Sequence, residues 1–252
     1  MNKEKLSKPF RSARPLPRFQ KPWEKLSIIM PVFNEERTIK ILLEKVIGLE
    51  LPIEKEIIIV NDGSTDKSQA IIEEIAVKNR GIIAIGKKNG GKGSAVAAGL
   101  KKATGSIMII QDADLEYDPE EIGKVIAPIL NGKANVVFGS RFKGKIIGKQ
   151  IISHLIGNKV LSLATAILFF HNISDMETGY KAFRREAIKG IELHSKRFDF
   201  EPEITAKILK NGHAILEVPI TYRARTHKEG KKIKISDGFV ALKTLLKYRF
   251  FD

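Results

Sequence analysis

SIMIIQDADLEYDP, residues 106–119, runs from four consecutive apolar residues, Ile107–Ile110, into acids at alternate positions: Asp112, Asp114, Glu116 and Asp118. The apolar run reads as a strand buried on both faces. Alternate residues of an extended chain point the same way, so Asp112 and Asp114 can aim into one space at the strand's carboxyl end. Clustered carboxylates repel one another unless a cation offsets them, and hard oxygen ligands suit Mg²⁺ or Mn²⁺. Mg²⁺ takes its remaining ligands readily from substrate phosphates. The stretch therefore reads as acids that hold a metal, which in turn holds a diphosphate. Asp118, directly before Pro119, fits a helix cap instead.

Outward from this stretch the pattern is one of alternation. LSIIMPV (Leu26–Val32) is a buried strand, followed by Asn34 as an N-cap and a helix to Leu49. Strand Glu56–Val60 ends in NDGSTD, and a helix follows through Lys78. A short strand Ile82–Ile85 leads through KKNGGKGS to an alanine-rich helix ending near Ala103. After the acidic stretch come a helix Pro119–Leu130 and a strand Asn135–Gly139. Apolar strands alternating with helices predict an α/β fold with a mostly parallel sheet covered on both faces. Ligands of such sheets bind beyond the carboxyl ends of the strands, where PVFNEE, NDGSTD and QDADLEYDP can converge. The second half differs. Gln150–Phe170 is a long helix in which Ile152, Leu155, Ile156, Val160, Leu163 and Ile167 recur at helical spacing. The loop SDMETGYKAFRRE, a helix Glu201–Lys210, a strand Ala214–Tyr222 and a basic amphipathic helix Ile235–Phe250 complete it. The expected organisation is a basic, proline-rich flexible arm over residues 1–25 and one catalytic domain over 26–252.

The 252 residues include no cysteine, which excludes a disulfide framework and a thiolate zinc site. The arm lacks the apolar stretch of a signal peptide, and the longest clean apolar run, Val160–Phe170, is too short to span a bilayer. Lysine and arginine number 44 against 29 acids, a net charge of +15. The excess gathers in the arm, in RFKGKIIGK (Arg141–Lys149) and from Tyr222 onward, and such patches attract polyanions: nucleic acid, anionic lipid or phosphorylated substrates. Nucleic acid is the weakest of these readings, because the patches lack interleaved aromatics and no recognition motif is present.

Gly86, Gly91 and Lys92 fit the spacing of a phosphate-binding loop, but Gly93 stands where Ser or Thr would bind the metal, which excludes an ATPase assignment. The loop can still approach a ligand through Lys92 or its backbone N–H groups. The five histidines show no metal-ligand spacing.

PVFNEE, NDGSTD, NGGKGSAVAAGL, DADLEYDPE, GSRF, DMETGYKAFRRE, FDFEPEITAK and VPITYRARTHKEGKKI, in this order, resemble family 2 glycosyltransferases. The similarity is greatest to the dolichol-phosphate mannose synthase-like branch, which glycosylates polyprenyl phosphates, and it covers Leu26 to Phe250. The resemblance implies a GT-A fold: a Rossmann-like nucleotide-binding half joined to an acceptor-binding half. It implies that Pro31, Phe33 and Glu35 line the nucleotide pocket, with Lys92 nearby, and that Asp62 contacts the base or ribose. Asp112 and Asp114 would organise metal and diphosphate, with Glu116 as a further metal ligand. Arg141 and Arg225 would face phosphates of donor or acceptor. Glu203 lies where related enzymes keep an acid near the acceptor, with Glu201 beside it. Asn61 replaces the first acid of the common D-D-G-S, and Glu116 stands where relatives often have Gln.

The implied reaction is metal-dependent, inverting transfer of a hexose from a nucleotide sugar, of the GDP-mannose or UDP-glucose type, to a polyprenyl phosphate. An enzyme acting on such a lipid without a spanning segment is expected at the cytoplasmic face of the membrane, held peripherally on anionic lipid or by a membrane-protein partner. In the last helix Phe239, Leu242, Leu246 and Phe250 would form the apolar side, unless that helix docks on the protein's own core. A soluble or polysaccharide acceptor is the alternative that shares every donor-side motif.

Overall fold

The structure is a computed structural model that describes residues 25–148, 152–225 and 235–251. The N-terminal arm as far as residue 24, Lys149 and Gln150, and the basic segment 226–234 lie outside the described residues.

Four strands form the first half of the sheet: β1 (Leu26–Val32), β2 (Lys55–Asn61), β3 (Ile82–Gly86) and β4 (Ile107–Ile110). Helices α1 (Ile39–Gly48), α2 (Ser68–Lys78) and α3 (Lys92–Lys102) connect them, and all their pairings are parallel. After a 3-10 turn at Pro119–Glu121, α4 (Ile122–Leu130) leads to β5 (Val136–Ile147). Then follow α5 (Ile152–Phe169), β6 (Lys181–Arg184), α6 (Arg185–Ile188), α7 (Phe200–Lys210), β7 (Ile215–Arg223) and α8 (Ile235–Phe250). Among the described residues seven strands make one sheet in the order β3-β2-β1-β4-β6-β5-β7. β6 runs antiparallel to both β4 and β5, and β7 is parallel to β5.

The period-two pattern of the strands explains the layering. Ile28, Met30, Ile57, Ile59, Ile107 and Ile109 pack on one side of the sheet with α1 and α4. Their neighbours Ile29, Ile58, Val60, Met108 and Ile110 pack on the other side with α3, α5, α7 and α8. With both faces covered, the middles of these strands are apolar on both sides. Fully burying each such side chain contributes about 1.5–3 kcal/mol.

Three expectations need amendment. Asn34 does not cap α1; it adopts φ +53° and ties two loops together, its N–H donating to Ser64 Oγ at 3.0 Å and its Oδ1 accepting from Thr65 N at 2.8 Å. β5 does not stop at Gly139 but continues through Arg141 into the basic patch, paired with β7 across an irregularity between Ser140 and Lys145. KAFR, expected as loop, is strand β6, the element that joins the two halves of the sheet.

The two long helices of the second half both turn apolar residues outward. α5 buries Asn158, Leu161, Ser162, Thr165 and Phe169, while Ile156, Val160, Leu163 and Ile167, which mark its apolar periodicity, are exposed. α8 docks on the core through Ala241, Thr244, Leu245 and Tyr248 and leaves Phe239, Leu246 and Phe250 exposed. Among the described residues no helix is long and apolar enough to cross a membrane.

Candidate active site

β1, β2 and β4 end on the same edge of the sheet. The chain leaves β3 for the far side of β1, so the polypeptide parts on either side of the central strand and opens a crevice there. A cavity of about 710 Å³ fills it, a volume suited to a small organic ligand. Pro31, Phe33, Glu35, Asp62, Lys92, Asp112, Asp114, Glu116, Arg141 and Arg225 all line it. These residues span almost two hundred positions of sequence, and the topology alone brings them together.

The glycine-rich turn is anchored from below. Buried Asp62 accepts hydrogen bonds from Gly90 N at 3.0 Å, Gly91 N at 2.6 Å and Lys87 Nζ at 2.5 Å. Its carboxylate, expected on the base or ribose, holds the turn at the cavity's edge. Gly91 sits at φ +88°, and a Cβ there would meet Lys196 O at 2.5 Å, so both backbone angle and space require glycine. This fixes the start of α3 and with it Lys92, whose Nζ lies 2.8 Å from Asp112 and 3.0 Å from Glu201. Burial works against the Lys92 charge, but Asp112 and Glu201 outweigh it and raise the pKa well above the usual range. Glu201 is also paired with fully buried Lys181 at 2.5 Å.

The acidic loop is stitched to the end of β7. Glu116 O accepts from Arg223 N at 2.8 Å, and Glu116 Oε1 accepts from Arg225 N at 2.9 Å. Arg225 is thereby held over the acids, its guanidinium 2.9 Å from Asp114 and 3.2 Å from Glu35. Asp114 remains short of positive charge. Burial, then Glu116 and Asp112, push its carboxyl up to about 7 despite Arg225.

Among the described residues no group of three His, Asp or Glu side chains is arranged as a ready metal centre. In this arrangement Glu116 accepts from the Arg225 backbone N–H, while Lys92 and Arg225 pair with Asp112 and Asp114. The donor set still fits a divalent cation. Asp112 and Asp114 offer hard oxygens into the cavity, and burial followed by the repulsion of Glu116 and Asp112 disfavours the Asp114 charge that a cation would offset.

Arg141 also lines the cavity. It makes a two-pronged ion pair with fully buried Asp175, Nε to Oδ2 at 2.8 Å and one terminal nitrogen to Oδ1 at 2.7 Å, and lies 5.1 Å over the Tyr222 ring. Asn158 of α5 adds a 2.6 Å bond to Asp175 Oδ1, which accounts for the polar inner face of that helix.

Glu203 does not line the cavity. It is fully buried, accepts from Ser195 N at 2.6 Å and His194 N at 2.9 Å, and pairs with Lys207 at 2.9 Å. Successive helical residues are rotated by about 100°, so residues two apart on α7 face nearly opposite sides. Glu201 consequently meets the cavity and Glu203 the core. Burial opposes the Glu203 charge, but Lys207, His194 N, Tyr248 and Ser195 N bring its carboxyl down to about 2. A depressed folded-state value means stabilisation that is complete above the unfolded value near 4.5 and is lost as pH falls toward 2. Glu203→Gln is expected to lower stability by about 3 kcal/mol at pH 7, with a difference that shrinks below pH 4, while kcat of the folded enzyme is unchanged. Urea titrations at pH 7 and pH 3, with kinetics at pH 7, measure both.

Glu177, Tyr117, Tyr222 and the segment Lys196–Phe198 also line the cavity without having been assigned a role from sequence. Glu177 lies inside the DMETGY motif, so its position was visible there and its orientation was not.

A parallel-sheet crevice rimmed by paired aspartates, a glycine-rich turn and two fixed arginines is the setting of an α/β enzyme's ligand site. The sequence profile of the glycosyl transferase family 2 matches residues 27–191, more than half of the chain, and the protein belongs to that family of glycosyltransferases. The chain is 30% identical over 211 residues to a dolichol-phosphate mannosyltransferase of Pyrococcus furiosus, covering 82% of this chain and 59% of that protein's length. It is 32% identical over 238 residues to a UDP-N-acetylglucosamine–dolichyl-phosphate N-acetylglucosaminyltransferase of Methanococcus voltae, covering 87% and 94% of the two chains. Glucosyl-3-phosphoglycerate synthase of Mycobacterium tuberculosis, crystallised with Mn²⁺, UDP and phosphoglyceric acid, superposes with a TM-score of 0.70 at 19% identity, over 91% of this chain and 80% of that one. This likeness supports the GT-A fold.

Proposed function

We propose that the protein transfers a hexose from a nucleotide sugar to a polyprenyl phosphate, with inversion at the anomeric carbon. The observation that carries this reading is the meeting of both charges in one cavity: Asp112 and Asp114 line it together with Arg141, fixed by Asp175, and Arg225, paired with Asp114. An acceptor oxygen of the lipid phosphate forms the new bond to the anomeric carbon as the bond to the diphosphate breaks, and the nucleoside diphosphate leaves with the electron pair. The phosphate has a second pKa of roughly 6 and is largely ionised at neutral pH, so the attack requires no strong general base. That agrees with the burial of Glu203 away from the cavity. Arg225 and Lys92 stabilise the charge that gathers on the departing diphosphate, and Arg141 receives the acceptor phosphate. Asp112 and Asp114 would hold Mg²⁺ or Mn²⁺, which would supply further positive charge at the leaving group.

The relatives that act on dolichyl phosphates support a lipid acceptor, and so does the surface. The outward face of α5 (Ile156, Val160, Leu163, Ile167) and that of α8 (Phe239, Leu246, Phe250) are exposed on helices that pack together, with Lys159, Lys243 and Lys247 exposed beside them. Apolar residues ringed by lysine complement an anionic bilayer surface. The protein is expected to bind anionic vesicles and neutral vesicles weakly, with most of it released at 1 M salt, where screening shortens electrostatic range to about 3 Å. Phe239→Ser with Phe250→Ser is expected to remove the fraction that resists the wash; flotation assays measure both. The function itself is tested by offering UDP-glucose, UDP-N-acetylglucosamine and GDP-mannose separately with dolichyl or undecaprenyl phosphate and Mg²⁺ or Mn²⁺. One donor is expected to yield a polyprenyl phosphate hexose, and failure of all three on both lipids would refute the assignment.

A further inference from the structure

The loop between α5 and β6 is held on every side, and two of its buried side-chain oxygens, Thr178 Oγ1 and Glu177 Oε1, lack a hydrogen-bond partner. Glu217 accepts from Ser174 N at 2.9 Å and Asp175 N at 3.0 Å, Ser162 Oγ accepts from Met176 N at 3.2 Å, and Met176 O accepts from Lys181 Nζ at 3.0 Å. Gly179 N donates to Tyr117 Oη at 2.8 Å, and Gly179 packs so closely beneath the Asp112 carboxylate that any Cβ would collide with it. In this clamped loop Glu177 lines the cavity, and its Oε1 is buried without a hydrogen-bond partner. Buried carboxyl oxygens normally find a donor, and one left open on a rigid wall of a ligand cavity is placed to receive it from the ligand.

We propose that Glu177 reads the transferred sugar, its carboxyl accepting hydrogen bonds from hydroxyl groups of the donor hexose. This rests on the reading of the cavity as a nucleotide-sugar site and adds the residue that recognises the sugar. Chemistry selects the sugar among the parts of the two substrates. A carboxyl repels both phosphate groups, and Asp175 and Glu201 beside it strengthen that repulsion. The isoprenoid chain carries no hydrogen-bond donor. The hexose is neutral, rich in hydroxyl donors, and must lie between the diphosphate near Asp112 and Arg225 and the acceptor phosphate near Arg141. Glu177 stands in that interval, with Gly179 of its own loop under Asp112 and Asp175 of the same loop on Arg141. Burial and then Glu201, opposed by Lys181 and Arg141, move its carboxyl up to about 7, so it can both accept and donate toward a hydroxyl at neutral pH.

Titration calorimetry with Mg²⁺ on the wild type, Glu177→Ala and Glu177→Gln tests this, using the nucleotide sugar that the wild type binds best and its own nucleoside diphosphate. Glu177→Ala is expected to weaken the nucleotide sugar by about tenfold or more and the nucleoside diphosphate by less than about twofold, since a site built to bond a hydroxyl is sensitive to losing that bond. Glu177→Gln, which keeps an acceptor oxygen, is expected to recover part of the loss. Equal weakening of both ligands in both variants would make Glu177 a structural residue, and unchanged binding of both would place the sugar elsewhere; either result overturns the proposal. Neither measurement involves the lipid. A failure of polyprenyl phosphate as acceptor would therefore refute the proposed function and leave this inference standing, and the reverse also holds.

Discussion

Asp114→Asn is expected to lower hexose transfer by about 10³-fold, the scale of removing one fixed electrostatic contact to a developing charge. Asp114 is the acid on which Arg225, Glu116 and Asp112 all act, and its exchange for a neutral amide removes a hard ligand for the cation. The fold is expected to be unharmed, because relief of the repulsion among Asp112, Asp114 and Glu116 offsets the lost contact to Arg225. Steady-state kinetics across Mg²⁺ concentration, with thermal melting as the control for folding, measure both quantities. Retention of full activity, together with full activity of the wild type in chelator, would exclude the metal from the mechanism.

The second large effect concerns Asp175. Asp175→Ala leaves the Arg141 guanidinium largely buried without its partner, and breaking a buried ion pair in this way costs about 3–5 kcal/mol. Asn158 loses its acceptor in the same step. Urea unfolding is expected to show the loss directly. The variant that remains folded is also expected to lose transfer, because Asp175 holds Arg141 on the cavity wall and fixes the loop that carries Glu177. Arg141→Met is the informative companion, since it removes the charge along with its need for a partner. It is expected to restore part of the stability and none of the activity.

The donor side was legible because its determinants are local. The middles of β1, β2 and β4 are continuous apolar runs, and the loops that leave these strands bring Phe33, Glu35, Asp62, Asp112, Asp114 and Glu116 to the cavity, beside Pro31 of β1 itself. The acceptor side was less so. KAFR reads as loop because four residues carry too little pattern, and it becomes strand β6 through pairing with β4 and β5, which no local preference reveals. α5 shows its helical period plainly, yet the apolar stripe faces outward, because Asn158 and Ser162 are needed inside to bond Asp175 and Met176 N. Glu203 and Glu201 are two residues apart and equally acidic; which of them meets the cavity depends on the rotational setting of α7 against α3 and α8. Asp62 reaches the cavity as expected, but its partners, the N–H groups of Gly90 and Gly91, come from a turn nearly thirty residues away.

The central claim, that this cavity delivers the hexose to a lipid phosphate, is tested most directly by an acceptor competition. Undecaprenyl or dolichyl phosphate in detergent and 3-phosphoglycerate, at equal concentration, share one radiolabelled nucleotide sugar with Mg²⁺ and the wild-type enzyme, and the label in the organic and aqueous phases is counted. Label in the lipid phase, abolished by chelator, is the expected result. Label confined to the aqueous phosphate ester, with none on the lipid, would contradict it.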